Sequence, residues 1–174
     1  HPSVMPSMKS GLRSFLRLSM SDRFLLLEAA FWLTVGWVLV RTVEFRRWSS
    51  LLGQNHAETP AVDVRDHDAS LLHIKWAIRR MSAALPFHPT CLMEGVAAKI
   101  MLNGRHIPST LYLGVKTIKH EGDPRLEMKA HAWTRCGTNI ITGAQGRQDF
   151  KVVSTFATLA TLAQQDQDTP VMPE

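Results

Sequence analysis

The sequence is poor in cysteine and lacks a secretory signal. Two cysteines among 174 residues cannot build a disulfide framework. No segment combines a charged start, a short apolar stretch and a small-residue cleavage site, which together mark a signal peptide. Both absences favour a protein of the reducing cytoplasm.

Charge is not concentrated in any part of the chain. The formal net charge is +5, but Lys and Arg are spread along the sequence, without the aromatic-interleaved basic motif of a nucleic-acid binder. We therefore expect no nucleic-acid partner. The excess of positive charge instead favours solubility and a mild attraction to acidic partners or anionic lipid.

A metal centre is also not expected. Asp63, Asp66, His67 and Asp68 carry ligand-type side chains, but no second group of such residues is present to close a metal site. The stretch is more typical of a solvated loop in which Asp68 or Ser70 caps the next helix. We predict neither a metal nor another cofactor.

The N-terminal part of the chain has helical periodicity. Residues 1–10 are predicted to be a disordered tail or the remnant of an expression vector, and residues 11–53 a helical region. Within this region, residues 11–19 suit a short amphipathic helix. A second helix is expected from a cap at Ser21 to about Arg46.

The second helix contains an apolar run from Phe24 to Val40 whose single charge is Glu28. At ~1.5 Å per residue the run reaches about 25 Å, which is shorter than a hydrocarbon core of about 30 Å. A membrane span is therefore disfavoured. We expect this helix to be buried between the core and another protein, or to make peripheral contact with a membrane surface.

The rest of the sequence predicts an α+β domain. Residues 54–70 are polar and suggest a linker, residues 71–165 the core, and residues 166–174 a disordered tail. In the core, two helical segments come first, and alternating strands follow. The absence of βαβ alternation favours helices packed on an antiparallel sheet. The predicted elements are helices at 71–85 and 91–102 and strands at 111–116, 126–136 and 139–142, the last two forming a hairpin around Gly137-Thr138.

Cys91 is the candidate nucleophile. It follows Thr90, a residue that can cap a helix, and lies in the first turn of the predicted helix. Unpaired backbone N–H groups and the helix dipole at this end favour a thiolate, and the same N–H groups can stabilise an oxyanion. A buried structural cysteine is the alternative for Cys91, and the one we prefer for Cys136 at the hairpin.

His131 is the candidate general base. On an extended strand it shares a face with Trp133, while Ala130 and Ala132 point to the other face and allow close packing. A core histidine bonded to a backbone carbonyl fits the same pattern. His88, three residues before Cys91, is the rival base, but its loop position makes its orientation harder to fix.

Several of these motifs, in this order, resemble the transglutaminase-like leader peptidases of lasso-peptide maturation. The resemblance covers residues 76–156. It rests on Cys91-Leu92, Gly114-Val115, His131-Ala-Trp133, Cys136-Gly137 and the segment from Ile140 to Gly143.

The resemblance implies a papain- or transglutaminase-like core with a nucleophile at a helix N-terminus. It also implies a cysteine peptidase that removes the leader from a ribosomally made precursor. Expected partners are that precursor, a separate leader-recognition protein of the RRE type and an asparagine-synthetase-like lasso cyclase. Trp133 and His88 are candidate substrate contacts.

The family usually places an Asp about a dozen residues after the histidine, whereas this chain has Thr142-Gly143 there. Three groups remain candidates for orienting His131: Asp149 if the chain bends back, Thr142, or a backbone carbonyl. A neutral group can still fix the tautomer, although it stabilises imidazolium less than a carboxylate does.

Two other functions are compatible with the same residues. An acyltransferase of the transglutaminase type would use the same thioester and accept an amine instead of water. A binding module with a vestigial Cys-His pair would use the apolar N-terminal helix for docking, and the absence of an acid at position 143 is the feature that favours it.

Overall fold

A computed structural model describes residues 18–62, 67–119 and 126–158. The expected tails, most of the helix predicted at 11–19, the turn at 121–124 and the acids Asp63 and Asp66 lie outside these ranges. The described helices are α1 (Met20–Thr42), α2 (Phe45–Trp48), α3 (Asp68–Ala84) and α4 (Cys91–Asn103). The described strands are β1 (Gln54–Asn55), β2 (Ser109–Lys119), β3 (Leu126–Cys136), β4 (Asn139–Thr142) and β5 (Lys151–Thr158).

Helix α1 begins two residues earlier and ends earlier than the sequence indicated. Ser19, not Ser21, is the N-cap, and its side chain accepts a hydrogen bond from the backbone N–H of Asp22. Ser21 is already helical. The helix stops before Val43, whose extended backbone separates it from the short α2.

Helix α1 presents two apolar faces with different surroundings. One face, which includes Leu26 and Leu33, is buried against α3 and α4. The opposite face is solvent-exposed and carries Met20, Phe24, Leu27, Phe31 and Val38. Among the described helices, α1 is long and apolar enough to cross a membrane, but core helices share that length and composition.

An ion pair fixes α1 to the end of α4. Glu28, the single charge of the apolar run, accepts two hydrogen bonds from the Arg105 guanidinium, at 2.9 and 2.7 Å. Two parallel bonds between these planar groups restrict both distance and orientation. Glu28, the charged residue of the apolar run, therefore positions α1 relative to α4.

The five strands form one antiparallel sheet in the order β1-β5-β2-β3-β4. This confirms the predicted α+β class. The hairpin between β3 and β4 turns at Gly137, which has a positive φ of 54°. Helix α4 packs on one sheet face, where Leu111, Ala132 and Phe156 are buried with Val96.

The segment predicted as a linker begins with contacts to the sheet. β1 pairs with β5, and the N–H of Thr59 donates to Thr110 Oγ1 at 2.9 Å. Arg135 donates to the Thr59 carbonyl at 2.7 Å and to Tyr112 Oη at 2.8 Å. Residues 54–60 are thus held against the sheet through strands β5, β2 and β3.

Strand β5 is the main element that the sequence interpretation omitted. It lies between β1 and β2, and four of the five residues from Val152 to Phe156 are β-branched or aromatic. Val152 and Val153 are exposed, whereas Phe156 is buried. The preceding Gly- and Gln-rich stretch obscured this pattern, although β-branched residues are typical of strands.

A lysine is buried in the core near the second cysteine. The Lys99 side chain is 0% exposed and donates to the carbonyl oxygen and the hydroxyl of Ser109. Burial lowers the pKa of Lys99 to about 7 and raises the pKa of Cys136 to about 11. Both groups are therefore shifted toward their neutral forms, as desolvation requires.

The buried lysine makes stability depend on pH. Between about 7 and the ordinary value near 10.4, the unfolded chain binds a proton that the folded chain does not. The free energy of unfolding should therefore rise with pH above about 7, by at most ~1.4 kcal/mol per pH unit. Lys99→Met should flatten this rise in urea denaturation series between about pH 6.5 and 8.5.

The unfolded Cys136 thiol begins to ionise near the upper limit and contributes with the opposite sign, but both proteins keep Cys136, so this contribution cancels in the comparison. Equal pH slopes for the two proteins would show that Lys99 keeps its proton in the folded state.

Candidate active site

The start of α4 leaves two backbone donors unpaired next to Cys91. The Thr90 side chain accepts the N–H of Met93, and the Thr90 carbonyl accepts the N–H of Glu94. The N–H groups of Cys91 and Leu92, in the first turn, have no partner among the described residues. Such a helix end favours negative charge on a nearby group.

The two cysteines have different environments. Cys91 is partly exposed, whereas Cys136 is 0% exposed within the packed core. Thiolate formation requires solvation or a nearby positive charge, and burial opposes it at Cys136. Cys91 is thus the cysteine that a ligand can reach.

His131 is oriented by a backbone carbonyl. Its Nε2 lies 2.9 Å from the carbonyl oxygen of Gly143. Because a carbonyl only accepts, we assign the proton to Nε2, which leaves the Nδ1 lone pair of the neutral ring free to accept another proton. This bond corresponds to the backbone-carbonyl alternative among the three orienting groups that the sequence allowed.

The Gly143 carbonyl reaches His131 because β4 is short. Thr142 pairs with Thr134 at the end of the hairpin, and the chain then turns at Gly143, which has a φ of +67°. A Cβ atom there would lie 2.2 Å from the Ala132 carbonyl oxygen. Only glycine fits this turn, so an acid cannot occupy position 143 without moving the backbone.

Aromatic rings pack against the imidazole of His131. Trp133 stacks on His131 at a centroid distance of 5.9 Å and on Tyr112 at 5.3 Å. Phe150 lies 5.0 Å from the imidazole centroid. Gly114 provides the space, since a Cβ atom there would lie 3.0 Å from the Trp133 ring.

The proposed substrate contacts have different positions. His88 lines the groove described below. Trp133 is only 6% exposed and is not among the groove residues, so its observed contact is with His131. We therefore interpret Trp133 as a support for the imidazole rather than as a surface for substrate.

Cys91 and His131 line the same open groove, with a cavity volume of about 780 Å³. Its walls come from the C-terminal half of α3, the loop before α4, the first turn of α4 and the segment after β4. The floor includes the apolar side chains of Ile78 and Ile141. A groove of this size can hold several residues of an extended peptide.

The other two candidate orienting groups make different contacts. Asp149 Oδ2 lies 3.4 Å from Lys116 Nζ, and its side chain is 57% exposed. Thr142 is 7% exposed, and its Oγ1 has no hydrogen-bond partner among the described residues. Neither side chain is hydrogen-bonded to His131 in the described part of the chain.

The arrangement combines a reachable thiol, an imidazole with a free nitrogen, and unpaired N–H donors at a helix end. These are the groups needed for nucleophilic attack by sulfur on a carbonyl carbon. Within the described ranges, no group of three or more His, Cys, Asp or Glu side chains could hold a metal ion.

The environments of the two thiols predict selective alkylation. In the native protein at about pH 8, iodoacetamide should modify Cys91, and Cys136 should react only after unfolding, because burial keeps its thiol protonated. Peptide mapping by mass spectrometry distinguishes the two sites. Native Cys91→Ala should remain unlabelled, and comparable labelling of Cys136 would contradict the packing described.

The turn at Gly143 predicts a specific loss of stability. Gly143→Ala should lower the free energy of unfolding by more than the ~1–2 kcal/mol of left-handed strain, because its Cβ also overlaps the Ala132 carbonyl. Gly146→Ala is the matched control, since Gly146 has the same φ of +67° but nothing within 4 Å of the added Cβ. If chemical denaturation showed that both variants lose the same free energy of unfolding, the close approach of the added Cβ to the Ala132 carbonyl would have no role.

Comparison with known proteins identifies the family. A family model described as the transglutaminase-like superfamily matches residues 33–155, a span that includes both Cys91 and His131. No curated protein and no solved structure gives a match. The superfamily usually comprises enzymes, namely cysteine peptidases and transglutaminases. Because the matched span covers well over half of the sequence, the chain belongs to the transglutaminase-like superfamily.

Proposed function

We propose that this protein is a cysteine peptidase that removes the leader from the precursor of a ribosomally synthesised lasso peptide. The observation that carries the proposal is the open groove shared by Cys91, at the start of a helix, and His131, whose Nε2 contacts the Gly143 carbonyl. The superfamily membership supports thiol chemistry. The resemblance of the ordered motifs from Cys91 to Gly143 supports the leader-peptidase activity.

In the first step, Nδ1 of His131 accepts the proton of the Cys91 thiol, and the sulfur attacks the scissile carbonyl carbon. The unpaired N–H of Cys91 then donates to the developing oxyanion. As the tetrahedral intermediate collapses, the C–N bond breaks and the imidazolium returns its proton to the leaving amine. The acyl group remains on sulfur as a thioester.

In the second step, water replaces the amine. His131 accepts a proton from the water, whose oxygen attacks the thioester carbonyl. The C–S bond breaks, and the proton returns to sulfur. The leader leaves with a free carboxylate, and the enzyme regains its thiol.

The Gly143 carbonyl performs the orienting role in this mechanism. It accepts the Nε2 proton and holds the ring with Nδ1 free. A neutral carbonyl attracts imidazolium less strongly than a carboxylate does, which reduces the stabilisation of the charged intermediate. We therefore expect a slow reaction in the isolated protein and faster turnover when a partner presents the substrate.

The proposed partners follow from the same function. They are the precursor peptide with its leader, a separate RRE-type leader-recognition protein, and an asparagine-synthetase-like cyclase that uses the released core peptide. We place these reactions in the cytoplasm. The groove beside Cys91 is large enough for several residues of a peptide substrate, which supports the first of these partners.

Acyl transfer to an amine is the second candidate function. The superfamily includes transglutaminases, and the thioester intermediate is common to both reactions. The groove around Cys91 and His131 is open on one side, so either water or a primary amine can reach the acyl group. The two functions differ in the product rather than in the first step.

The mechanism predicts which side chains are essential for cleavage. With a lasso precursor and its leader-recognition protein, Cys91→Ala should abolish cleavage while the far-UV circular dichroism spectrum stays unchanged, because Cys91 is only partly buried. Asp149→Asn should retain most activity, since Asp149 is paired with Lys116. Mass spectrometry of the released leader measures both effects.

Two outcomes of the same experiment would contradict the proposed mechanism. Cleavage by Cys91→Ala would eliminate the thiol mechanism. Complete loss in Asp149→Asn would assign the orienting role to the carboxylate instead of the Gly143 carbonyl. Addition of a primary amine distinguishes the two functions, because an amine conjugate of the leader would support acyl transfer and simple hydrolysis supports a peptidase.

A further inference from the structure

The groove continues beyond Cys91 and His131 along a cationic wall. Lys75 and Arg79 lie four residues apart on α3, so they share one helix face, and both line the groove. Helix α3 ends at Ala84, and the following loop leads directly to Cys91. At ~1.5 Å per residue, Arg79 and Lys75 lie about 7.5 and 13.5 Å before that end.

A backbone contact fixes the position of Lys75. Its Nζ donates to the Ile140 carbonyl oxygen of the edge strand β4 at 3.1 Å. An ammonium group has three donors, so Lys75 can still bind an anion while it holds this contact. Lys75 and Ile141 also line an adjoining apolar cavity of about 220 Å³, which extends the groove past the ammonium group.

Arg79 is exposed and has no ion-pair or hydrogen-bond partner within the described residues. Two carboxylates line the same surfaces, and neither belongs to the part of α3 that borders the groove. Glu94 is one helical turn from Cys91, and Asp68 is at the far end of α3 in the adjoining cavity. The wall that α3 contributes to the groove therefore carries positive charge alone.

We propose that Lys75 and Arg79 form a subsite for a carboxylate of the substrate peptide, within a few residues of the scissile bond. An extended chain advances ~3.3 Å per residue, so the offset of about 6 Å between Lys75 and Arg79 along α3 corresponds to about two residues of a bound peptide. The carboxylate is either an Asp or Glu side chain or a free C-terminus. The apolar floor at Ile78 accepts the alternate side chains of the same segment.

This subsite rests on the proposed peptidase function, because it assigns a specificity to the same groove. A purely structural role of Lys75 and Arg79 would predict no preference for acidic peptides. The hydrogen bond from Lys75 to β4 covers part of an exposed strand edge whether or not a substrate is bound. Such a contact hinders the pairing of that edge with a strand of another chain. Arg79 makes no such contact, so a preference for acidic peptides that depends on Arg79 reports substrate recognition.

Covalent probes of Cys91 measure the preference without a known substrate. Chloroacetyl-Ala-Ala-Xaa-Ala amides and acetyl-Xaa-Ala-Ala chloromethyl ketones, with Glu, Gln or Lys as Xaa, place the charge on either side of the reacting carbon. Sulfur displaces chloride to form a thioether, and the thiol proton passes to His131 or buffer. The labelling rate at Cys91 is followed by mass spectrometry.

In at least one series, the Glu probe should label Cys91 about two- to fivefold faster than the Gln probe, and the Lys probe more slowly. Arg79→Glu should reverse this order. Arg80→Glu is the matched control, since Arg80 is the neighbouring exposed arginine, lies over the Trp76 ring and does not line the groove. It should keep the wild-type order.

A chloroacetyl-tetra-alanine probe with a free or an amidated C-terminus distinguishes a terminal carboxylate from an acidic side chain. If the Gln probes label Cys91 rapidly but neither series shows a charge preference, or if Arg79→Glu and Arg80→Glu change it equally, the subsite is excluded and the peptidase function stands. If no probe labels Cys91 faster than it labels a free thiol peptide, the peptidase function fails, and the subsite fails with it.

Discussion

The hydrogen bond from His131 Nε2 to the Gly143 carbonyl is the interaction on which the candidate site depends. It exists because β4 ends at Thr142 and the chain turns at a glycine whose φ is positive. The Trp133 and Phe150 rings also pack against the imidazole. One backbone turn thus determines the tautomer of the candidate base and the nitrogen that is available to a substrate.

The second requirement is that α4 begins at the groove. Its capping residue Thr90 starts the helix directly at Cys91, and the remainder of α4 is anchored in the core by apolar residues and the buried Lys99. Helix α1 packs across α4 and is tied to Arg105 through Glu28. The position of the thiol therefore depends on packing along the whole helix rather than on contacts near the sulfur alone.

Local patterns were enough for much of the fold and for part of the site. The strand at 126–136, the hairpin around Gly137 and the helix beginning at Cys91 have the predicted limits, because alternation, turn residues and capping act over a few neighbouring residues. Strand β5 was not predicted, although its β-branched residues are typical of a strand. The attachment of residues 54–60 to the sheet through Arg135 and Thr110 could not be predicted, because it joins segments distant in sequence.

The sequence by itself determined which reactive groups this protein carries and which elements hold them: Cys91 after a capping threonine, and His131 on a strand beside Trp133. Local backbone preferences and hydrophobic periodicity specify these features without reference to the rest of the chain. Only the tertiary structure decided that both residues border one groove and that a carbonyl, rather than Asp149 or Thr142, contacts the imidazole. These outcomes depend on the exact residue at which β4 ends, and a single step in strand register turns every following side chain to the opposite face of the sheet.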